Sequence, residues 1–215
     1  MAGQLNQILD DIEERLHFFS LVGVPFLVHE SPFDALEQTI KRCQKCGLSQ
    51  SRRQAVPGEG NRRADLMFVG EAPGRDEDIQ GRPFVGKAGQ LLSRIIQAMG
   101  FRREDVYITN VVKCRPPENR TPQGPEIASC RDYLLEQIAL IQPRVIVALG
   151  RVAAGFFIKT QLGMTQLRGN FHEFLDLKVM PTFHPSYLIR NEGNRALKKM
   201  VWEDMKKVMA FLGKR

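Results

Sequence analysis

The sequence lacks the features that mark a membrane or secreted protein. No apolar run approaches the ~18 residues that a membrane-spanning helix needs. The N-terminus has no basic segment followed by an apolar core and a small-residue cleavage site. We therefore expect a cytoplasmic protein that makes no use of a membrane.

The common nucleotide-binding and serine-hydrolase motifs are also missing. The chain has no P-loop, no G-x-G-x-x-G fingerprint and no G-x-S-x-G nucleophile elbow. Ser186 lies two residues after His184, but without the elbow this pair does not indicate acyl transfer. The chemistry of this protein has to come from other residues.

Cysteine is scarce, with four in the chain. Cys43 and Cys46 form a C-x2-C pair, Cys114 follows after 67 intervening residues and Cys130 after a further 15. Four thiolates satisfy a tetrahedral zinc ion or a cubane iron–sulfur cluster. Two disulfides are the competing interpretation, and the missing secretion signal weighs against them. The wide, uneven spacing fits neither a compact zinc finger nor the ferredoxin run, so zinc and iron–sulfur both stay open here.

The charge balance favours an anionic partner. Lysine and arginine number 31 against 24 aspartates and glutamates, which gives a formal net charge of +7. Nucleic acid is the first candidate and an anionic membrane surface the second.

The first 40 residues have a helical pattern of their own. Apolar residues recur at helical spacing over residues 4–20, with acidic residues on the other face. A second helix is predicted from Pro32, after the N-cap Ser31, to about Arg42, and it delivers the C-x2-C pair. We expect residues 1–40 to form a helical extension packed on a core domain of residues 41–215.

From residue 65 the pattern predicts an α/β protein, because short apolar runs alternate with helical segments. We expect a three-layer α/β/α sandwich with a central four-stranded parallel sheet. A further strand or hairpin arm is predicted at residues 171–175. The parallel strands are predicted at residues 65–70, 106–112, 145–149 and 179–183, and the helices at residues 86–99, 125–141, 151–158 and 195–212.

The loops after these strands hold the candidate functional residues, since ligands of open parallel sheets bind beyond the carboxyl ends of the strands. Phe84 is either a core ring or a stacking platform for a flat base. Asn110 directly follows a strand and is either a turn former or a reader of a base edge. His184 begins a His-Pro-Ser segment and shares the predicted crevice with both. The acidic residues 76–78 fit a solvated helix start better than a metal site.

Three long motifs, together with the cysteine set, resemble those of the family 4 uracil-DNA glycosylases, the iron–sulfur branch of the uracil-DNA glycosylase superfamily. The resemblance spans about residues 41 to 212. It implies a [4Fe–4S] cluster of structural role held by Cys43, Cys46, Cys114 and Cys130. The motifs are GEAPGRDED followed by GRPFVGKAGQLL, then YITNVVKCRPPENR, then FHPSYLIR.

The resemblance also implies roles for the crevice residues in uracil excision by base flipping. Uracil would stack on Phe84, bond its polar edge to Asn110 and receive a hydrogen bond at O2 from His184, in a pocket that includes Gly70 and Ala72. Ala72 stands where family 1 enzymes carry a water-activating aspartate. The water is therefore expected to be positioned by backbone groups, by Glu71 or by Asn119, and Glu71 could also reject thymine.

The segment HPSYLIR is expected to be a loop that contacts DNA. Ser186 lies in this segment, Tyr187 or Leu188 would act as a wedge in the minor groove, and Arg190 would contact phosphate. The expected partner is single- or double-stranded uracil-containing DNA, bound by a monomer associated with a prokaryotic nucleoid. Residues 1–40 are a possible docking segment for a replication or repair protein.

Three alternatives accompany this hypothesis. A non-catalytic zinc or iron–sulfur DNA-binding module would use the basic crevice without chemistry, and a redox protein would use the cluster for electron transfer. A related class captures uracil-DNA covalently through a histidine in an inserted basic loop. The corresponding segment here, CRPPENRTPQGPE, has no histidine, which favours ordinary turnover.

Overall fold

The computed structural model describes residues 31–214, and the chain divides into two compact units, residues 1–31 and 32–215. The helix predicted over residues 4–20 lies outside the described residues. None of the helices in the described part is long and apolar enough to cross a membrane. The rest of this section concerns the second unit.

The centre of this unit is a six-stranded sheet in the order β1-β3-β2-β4-β6-β5. The four middle strands are parallel to one another, while β1 pairs antiparallel with β3 and β5 pairs antiparallel with β6. The predicted parallel four-stranded centre is thus confirmed, and so is the further strand predicted at residues 171–175, which is β5; the antiparallel edge strand β1 was not predicted. The strands are β1 (Glu59–Gly60), β2 (Leu66–Gly70), β3 (Tyr107–Asn110), β4 (Val145–Leu149), β5 (His172–Phe174) and β6 (Leu177–Thr182).

Helices cover both faces of the sheet, as expected for parallel strands that are buried on both sides. Two 3-10 turns, Arg103–Asp105 and Pro117–Asn119, complete the described elements. The helices are α1 (Pro32–Arg42), α2 (Leu48–Ser51), α3 (Arg75–Gln80), α4 (Lys87–Ala98), α5 (Gly124–Ile141), α6 (Gly150–Phe157), α7 (Met164–Leu167), α8 (Pro185–Arg190) and α9 (Arg195–Phe211).

Alternate residues of the strands divide the core into two layers. Met67 and Val69 of β2 pack with residues of α1, α5 and α6, whereas Leu66 and Phe68 pack with residues of α4 and α9. This division follows from the two-residue repeat of a strand, which sends successive side chains to opposite faces. The three-layer arrangement predicted from the sequence is therefore present.

Helix α1 begins at Pro32 and ends at Arg42, as its N-cap and first-turn proline predict. Its apolar face, formed by Phe33, Leu36 and Ile40, is buried in the same core layer as the cysteines. The last part of the predicted N-terminal extension is thus core of the second unit. Whether residues 1–30 form a docked extension stays a prediction.

The segment HPSYLIR was expected to be a loop, and this expectation is wrong. Pro185–Arg190 forms helix α8, with His184 as its N-cap and Pro185 as its first residue. Proline favours the first helical position because its missing N–H is not needed there. The short helix carries Tyr187 and Leu188 on different sides, which decides their exposure.

Candidate active site and cysteine centre

The carboxyl ends of the four parallel strands meet at one edge of the sheet, and a cavity of about 730 Å³ opens there. Segments that follow β2, β3, β4 and β6 all contribute to its walls. Its lining includes the predicted residues Glu71, Ala72, Phe84, Asn110, Asn119, His184, Ser186, Tyr187 and Arg190.

Phe84 is held in place by a carboxylate from helix α3. The Glu77 Oε1 atom accepts the backbone N–H groups of Val85 at 2.9 Å and Gly86 at 3.0 Å. Phe84 itself has φ of 51°, a left-handed conformation that a side chain of this size seldom adopts. A Cβ atom on Gly89 would lie 1.8 Å from the Phe84 carbonyl oxygen, so only glycine permits this approach. The ring is therefore fixed by its surroundings rather than by its own backbone preference.

Asn110 is the last residue of β3 and is 1% exposed. Its Oδ1 atom is the one buried side-chain polar atom in residues 31–214 that has no hydrogen-bond partner. A Cβ atom on the neighbouring Gly70 would lie 2.4 Å from this Oδ1 and 2.4 Å from Phe84 Cζ. Gly70 thus brings the amide and the ring together. An unpaired buried acceptor is costly, so its persistence in a cavity points to a ligand that donates to it.

His184 faces Phe84 across the cavity, with the two ring centroids 5.7 Å apart and the planes tilted by 32°. The backbone N–H of Ser186 donates to His184 Nδ1 at 3.1 Å. Burial, with a smaller contribution from Arg190, lowers the pKa of His184 to about 4. The ring is therefore neutral at neutral pH, and because Nδ1 is an acceptor, Nε2 carries the hydrogen and can donate it.

Glu71 follows β2 and is half-buried in the cavity wall. Burial raises the pKa of its carboxyl group, while the charge of Arg190 and a hydrogen bond with Thr121 act in the opposite direction. A carboxylate whose pKa is raised is a better proton acceptor near neutral pH. Ala72 lines the cavity beside it and offers no side-chain functional group.

The remaining predicted residues are placed at the rim or behind it. Asn119 is exposed, has φ of 53° and accepts a hydrogen bond from Arg115 Nε at 2.8 Å. Tyr187 is 39% exposed and stacks near Phe183, and Arg190 is exposed. Leu188 is 3% exposed and packs in the core layer beneath, which argues against its role as a wedge.

The four cysteines are free and gather on one side of the sheet. Burial is the main cause that raises the pKa of Cys114 to about 11; Arg52 acts in the opposite direction, and the nearby Cys130 and Cys46 add smaller increases. Cys130 is likewise within electrostatic reach of Cys43 and Cys46. No disulfide joins the four thiols, which lie in or against one buried cluster, so the disulfide interpretation fails.

Hydrogen-bond donors surround these sulfur atoms. Arg52 Nη1 donates to Cys114 Sγ at 2.9 Å, and its Nη2 donates to the Cys43 carbonyl oxygen at 2.6 Å. The backbone N–H of Lys113 donates to Cys130 Sγ at 3.4 Å. Such donors favour the thiolate form that a metal centre requires.

Sequence reasoning missed several residues that shape the site. Glu77 looked like part of a solvated acidic helix start, yet it orders the Phe84 loop, and its neighbour Asp78 is 3% exposed and accepts the backbone N–H of Arg53. The glycine after β4, Gly150, lies against His184 and has φ of 86°. A glycine at the carboxyl end of a predicted strand was the available signal. Other lining residues that were not predicted are Thr121, Arg151, Met164 and Thr165.

An α/β protein whose cavity at the sheet edge combines two aromatic rings with an unpaired amide oxygen belongs to a class suited to a flat, polar, ring-shaped ligand. Comparison with known proteins agrees with this class. The model of the uracil DNA glycosylase superfamily matches residues 57–206. The chain is 49% identical to the type-4 uracil-DNA glycosylase of Thermotoga maritima over 86% of this chain and 97% of that protein.

Two further relatives show how far the similarity extends. The type-4 uracil-DNA glycosylase of Saccharolobus solfataricus is 45% identical over 83% of this chain and 86% of its own length. A type-5 uracil-DNA glycosylase of Pyrobaculum aerophilum is 35% identical over 64% of this chain and 68% of its own. The chain therefore belongs to the uracil-DNA glycosylase superfamily and, within it, to the type-4 uracil-DNA glycosylases.

Proposed function

We propose that this protein hydrolyses the N-glycosidic bond between uracil and deoxyribose in DNA and leaves an abasic site. This proposal agrees with the name of its relatives, type-4 uracil-DNA glycosylase. The unpaired Oδ1 of Asn110 carries the proposal. The N3–H of uracil is a donor that suits this acceptor, and the amide group of the same side chain can donate to O4.

The base can enter the cavity only after it leaves the base stack of the DNA, because the glycosidic bond is otherwise out of reach. The ring of Phe84 offers a stacking surface in the cavity, opposite His184. Since base–aromatic stacking does not select one base, selection for uracil falls on Asn110. Gly70 and Ala72 leave room beside it.

His184 stabilises the leaving group. When the bond between C1′ and N1 breaks, its electron pair stays on uracil, and negative charge develops at O2. A neutral imidazole that carries its hydrogen on Nε2 can donate a hydrogen bond to this anion and so stabilise it. The hydrogen bond from Ser186 to Nδ1 keeps the ring in the tautomer that this role needs.

A water molecule completes the reaction by forming a bond to C1′ and giving up one proton. We assign this water to Glu71, whose raised pKa suits proton acceptance, with Asn119 at the rim as the alternative. Glu71 is also proposed to exclude the C5 methyl group of thymine. Gain of thymine excision by Glu71→Ala, measured on matched uracil and thymine oligonucleotides, tests this role.

We assign a [4Fe–4S] cluster to Cys43, Cys46, Cys114 and Cys130. The four thiols are unpaired, lie in or against one buried cluster and match the number of thiolates that such a cluster takes, which supports this assignment. When bound, the cluster supplies cross-links between α1, the segment after β3 and helix α5.

Contacts to the DNA backbone are assigned to the rim. Tyr187 is the exposed apolar side chain nearest to the mouth of the cavity on α8 and is proposed as the wedge, while Arg190 and Ser186 lie beside it for phosphate contact. We further propose that a single copy acts on DNA in the cytoplasm, in association with the nucleoid, and that residues 1–40 recruit a repair or replication partner.

The test is alkaline-cleavable product from a labelled oligonucleotide that contains one uracil. The wild type should produce strand breaks, and His184→Ala should do so about 10²–10³ times more slowly. His172→Ala is the matched control, because His172 lies in the edge strand β5 and bonds the Leu167 carbonyl oxygen outside the cavity. If cluster-loaded wild type makes no breaks, the protein is a DNA-binding module without glycosylase activity.

A further inference from the structure

A buried lysine connects the cysteine centre with the base pocket. Lys113 is 1% exposed, although lysine is among the residues least often buried. Its backbone N–H donates to Cys130 Sγ, and its chain neighbour is Cys114. Its side chain runs the other way, toward the end of β3.

The Lys113 Nζ atom has three acceptors at hydrogen-bond distance. These are the Asn110 carbonyl oxygen at 2.8 Å, Thr109 Oγ1 at 2.7 Å and Gln137 Oε1 at 2.6 Å. Three acceptors match the three N–H donors of a protonated lysine, and they offset the burial that lowers the pKa of this group to about 7. A buried amino group is tolerated only when all its hydrogen bonds are made, so the positions of the three acceptors are tightly constrained.

The acceptors are themselves held by a fixed network. Thr109 Oγ1 donates to the Pro57 carbonyl oxygen at 2.6 Å, and Gln137 Nε2 donates to the same oxygen at 2.9 Å and to Tyr107 Oη at 3.1 Å. Each member is buried in the interior of the sheet. The network is thus a rigid support for the lysine.

We infer that Lys113 is a positioning residue for uracil recognition, acting through Asn110. Asn110 ends β3, and beyond it the chain leaves the regular strand, with Val111 bonded back to Gly70. The carbonyl oxygen of Asn110 is held at this point by the ammonium group. That bond fixes the backbone from which the base-reading amide projects, while Gly70 limits the amide from the other side.

This inference rests on the proposed function, and its test separates the two. The probe is a 2′-fluoro-2′-deoxyuridine oligonucleotide, whose glycosidic bond resists cleavage, compared with the same sequence carrying thymidine. The ratio of the two dissociation constants isolates the part of the affinity that depends on the base. Cluster content is followed by visible absorption in every preparation, so that only loaded protein is compared.

Lys113→Met keeps the length of the side chain and removes all three bonds. We expect it to reduce the uracil-dependent ratio by up to about tenfold, because the backbone that carries the recognition amide loses one hydrogen bond of ordinary net strength. Lys178→Met is the matched control, because it makes the same change at a surface lysine of β6 that pairs with Glu173 and does not line the cavity. It should leave the ratio unchanged.

A double-mutant cycle decides whether the effect passes through Asn110. In an Asn110→Ala background, Lys113→Met should have no further effect on the ratio, because the residue through which it acts is gone. Independent, multiplicative effects would overturn the inference, as would an unchanged ratio in Lys113→Met alone. Absence of uracil excision by the wild type would instead refute the proposed function. If Lys113→Met does not load its cluster, Lys113→Gln provides the same comparison.

Discussion

The aromatic ring of Phe84 lies 5.7 Å from the imidazole ring of His184, tilted by 32°, and neither side chain reaches this position by local preference. Phe84 is held with a positive φ by the carboxylate of Glu77, and His184 is the N-cap of a short helix on the far side of the sheet edge. The two surfaces proposed to contact the base are therefore positioned by the residues behind them. Three of the four predictions below concern this pair or the residues that place it.

Gly70→Ala should nearly abolish uracil excision. The added Cβ would lie 2.4 Å from both Asn110 Oδ1 and Phe84 Cζ, so the amide or the ring must move. Displacement of a recognition group by about 1 Å costs on the order of 10² in rate. Single-turnover excision measures this loss. Gly155→Ala on α6 meets nothing within 4 Å and should excise uracil at the wild-type rate.

Glu77→Ala should weaken uracil excision through Phe84. The substitution removes the acceptor of the Val85 and Gly86 N–H groups and frees a loop that holds an unfavourable φ. We expect a loss of about 10- to 100-fold in kcat/KM, together with a lower melting temperature, because three backbone N–H groups lose their acceptor. Glu203→Ala is the control, since Glu203 is a surface residue of α9 paired with Lys206. Equal activities of the two variants would contradict the role given to Glu77.

His184 should make the stability of the protein depend on pH in acid. Its pKa is lowered from 6.5 to about 4 in the folded chain, so between these values the unfolded state binds more protons. The free energy of unfolding therefore falls as the pH drops from 6.5 toward 4, by on the order of 1 kcal/mol from this residue. Urea unfolding near pH 7 and near pH 5 measures the change.

His184→Gln should remove that part of the pH dependence, because glutamine does not titrate. The variant should lose less stability than the wild type between the two pH values. An identical loss in both proteins would show that His184 titrates normally in the folded state. The same experiment would then also question the neutral imidazole assigned to catalysis.

Cys130→Ser should prevent assembly of the cysteine centre. Cys130 is buried among the other thiols, and serine offers a weakly acidic hydroxyl in place of the thiolate that holds an iron–sulfur cluster. We expect loss of the visible absorption and a lower melting temperature, since the cross-links to α5 are gone. Ser129→Ala, at the preceding position of the same helix, should keep both. Retention of iron by Cys130→Ser would contradict the four-cysteine assignment.

Much of the fold could be predicted because its signals are local. The apolar runs of β2 and β4 are short, continuous and buried on both faces, and the helices α4 and α5 have clear boundaries. Strand β1 could not be predicted, since two residues, Glu59 and Gly60, have no periodicity and pair only because β3 is beside them. The HPSYLIR segment was mistaken for a loop for a similar reason, as six residues with a proline suit either structure.

The sequence by itself determined which chemical groups are available: four thiols, an amide after a strand, a histidine before a proline and an aromatic ring in a glycine-rich segment. It also determined the parallel sheet, because strand and helix periodicities depend on nearest neighbours. Only the tertiary structure decided that Glu77 supports Phe84, that Leu188 faces the core and that Lys113 bonds to Asn110. Glu77 and Lys113 bond to residues within eight positions of them in the sequence, but these bonds form only once packing has set the course of the backbone. A hydrogen bond depends on distances that no local pattern encodes.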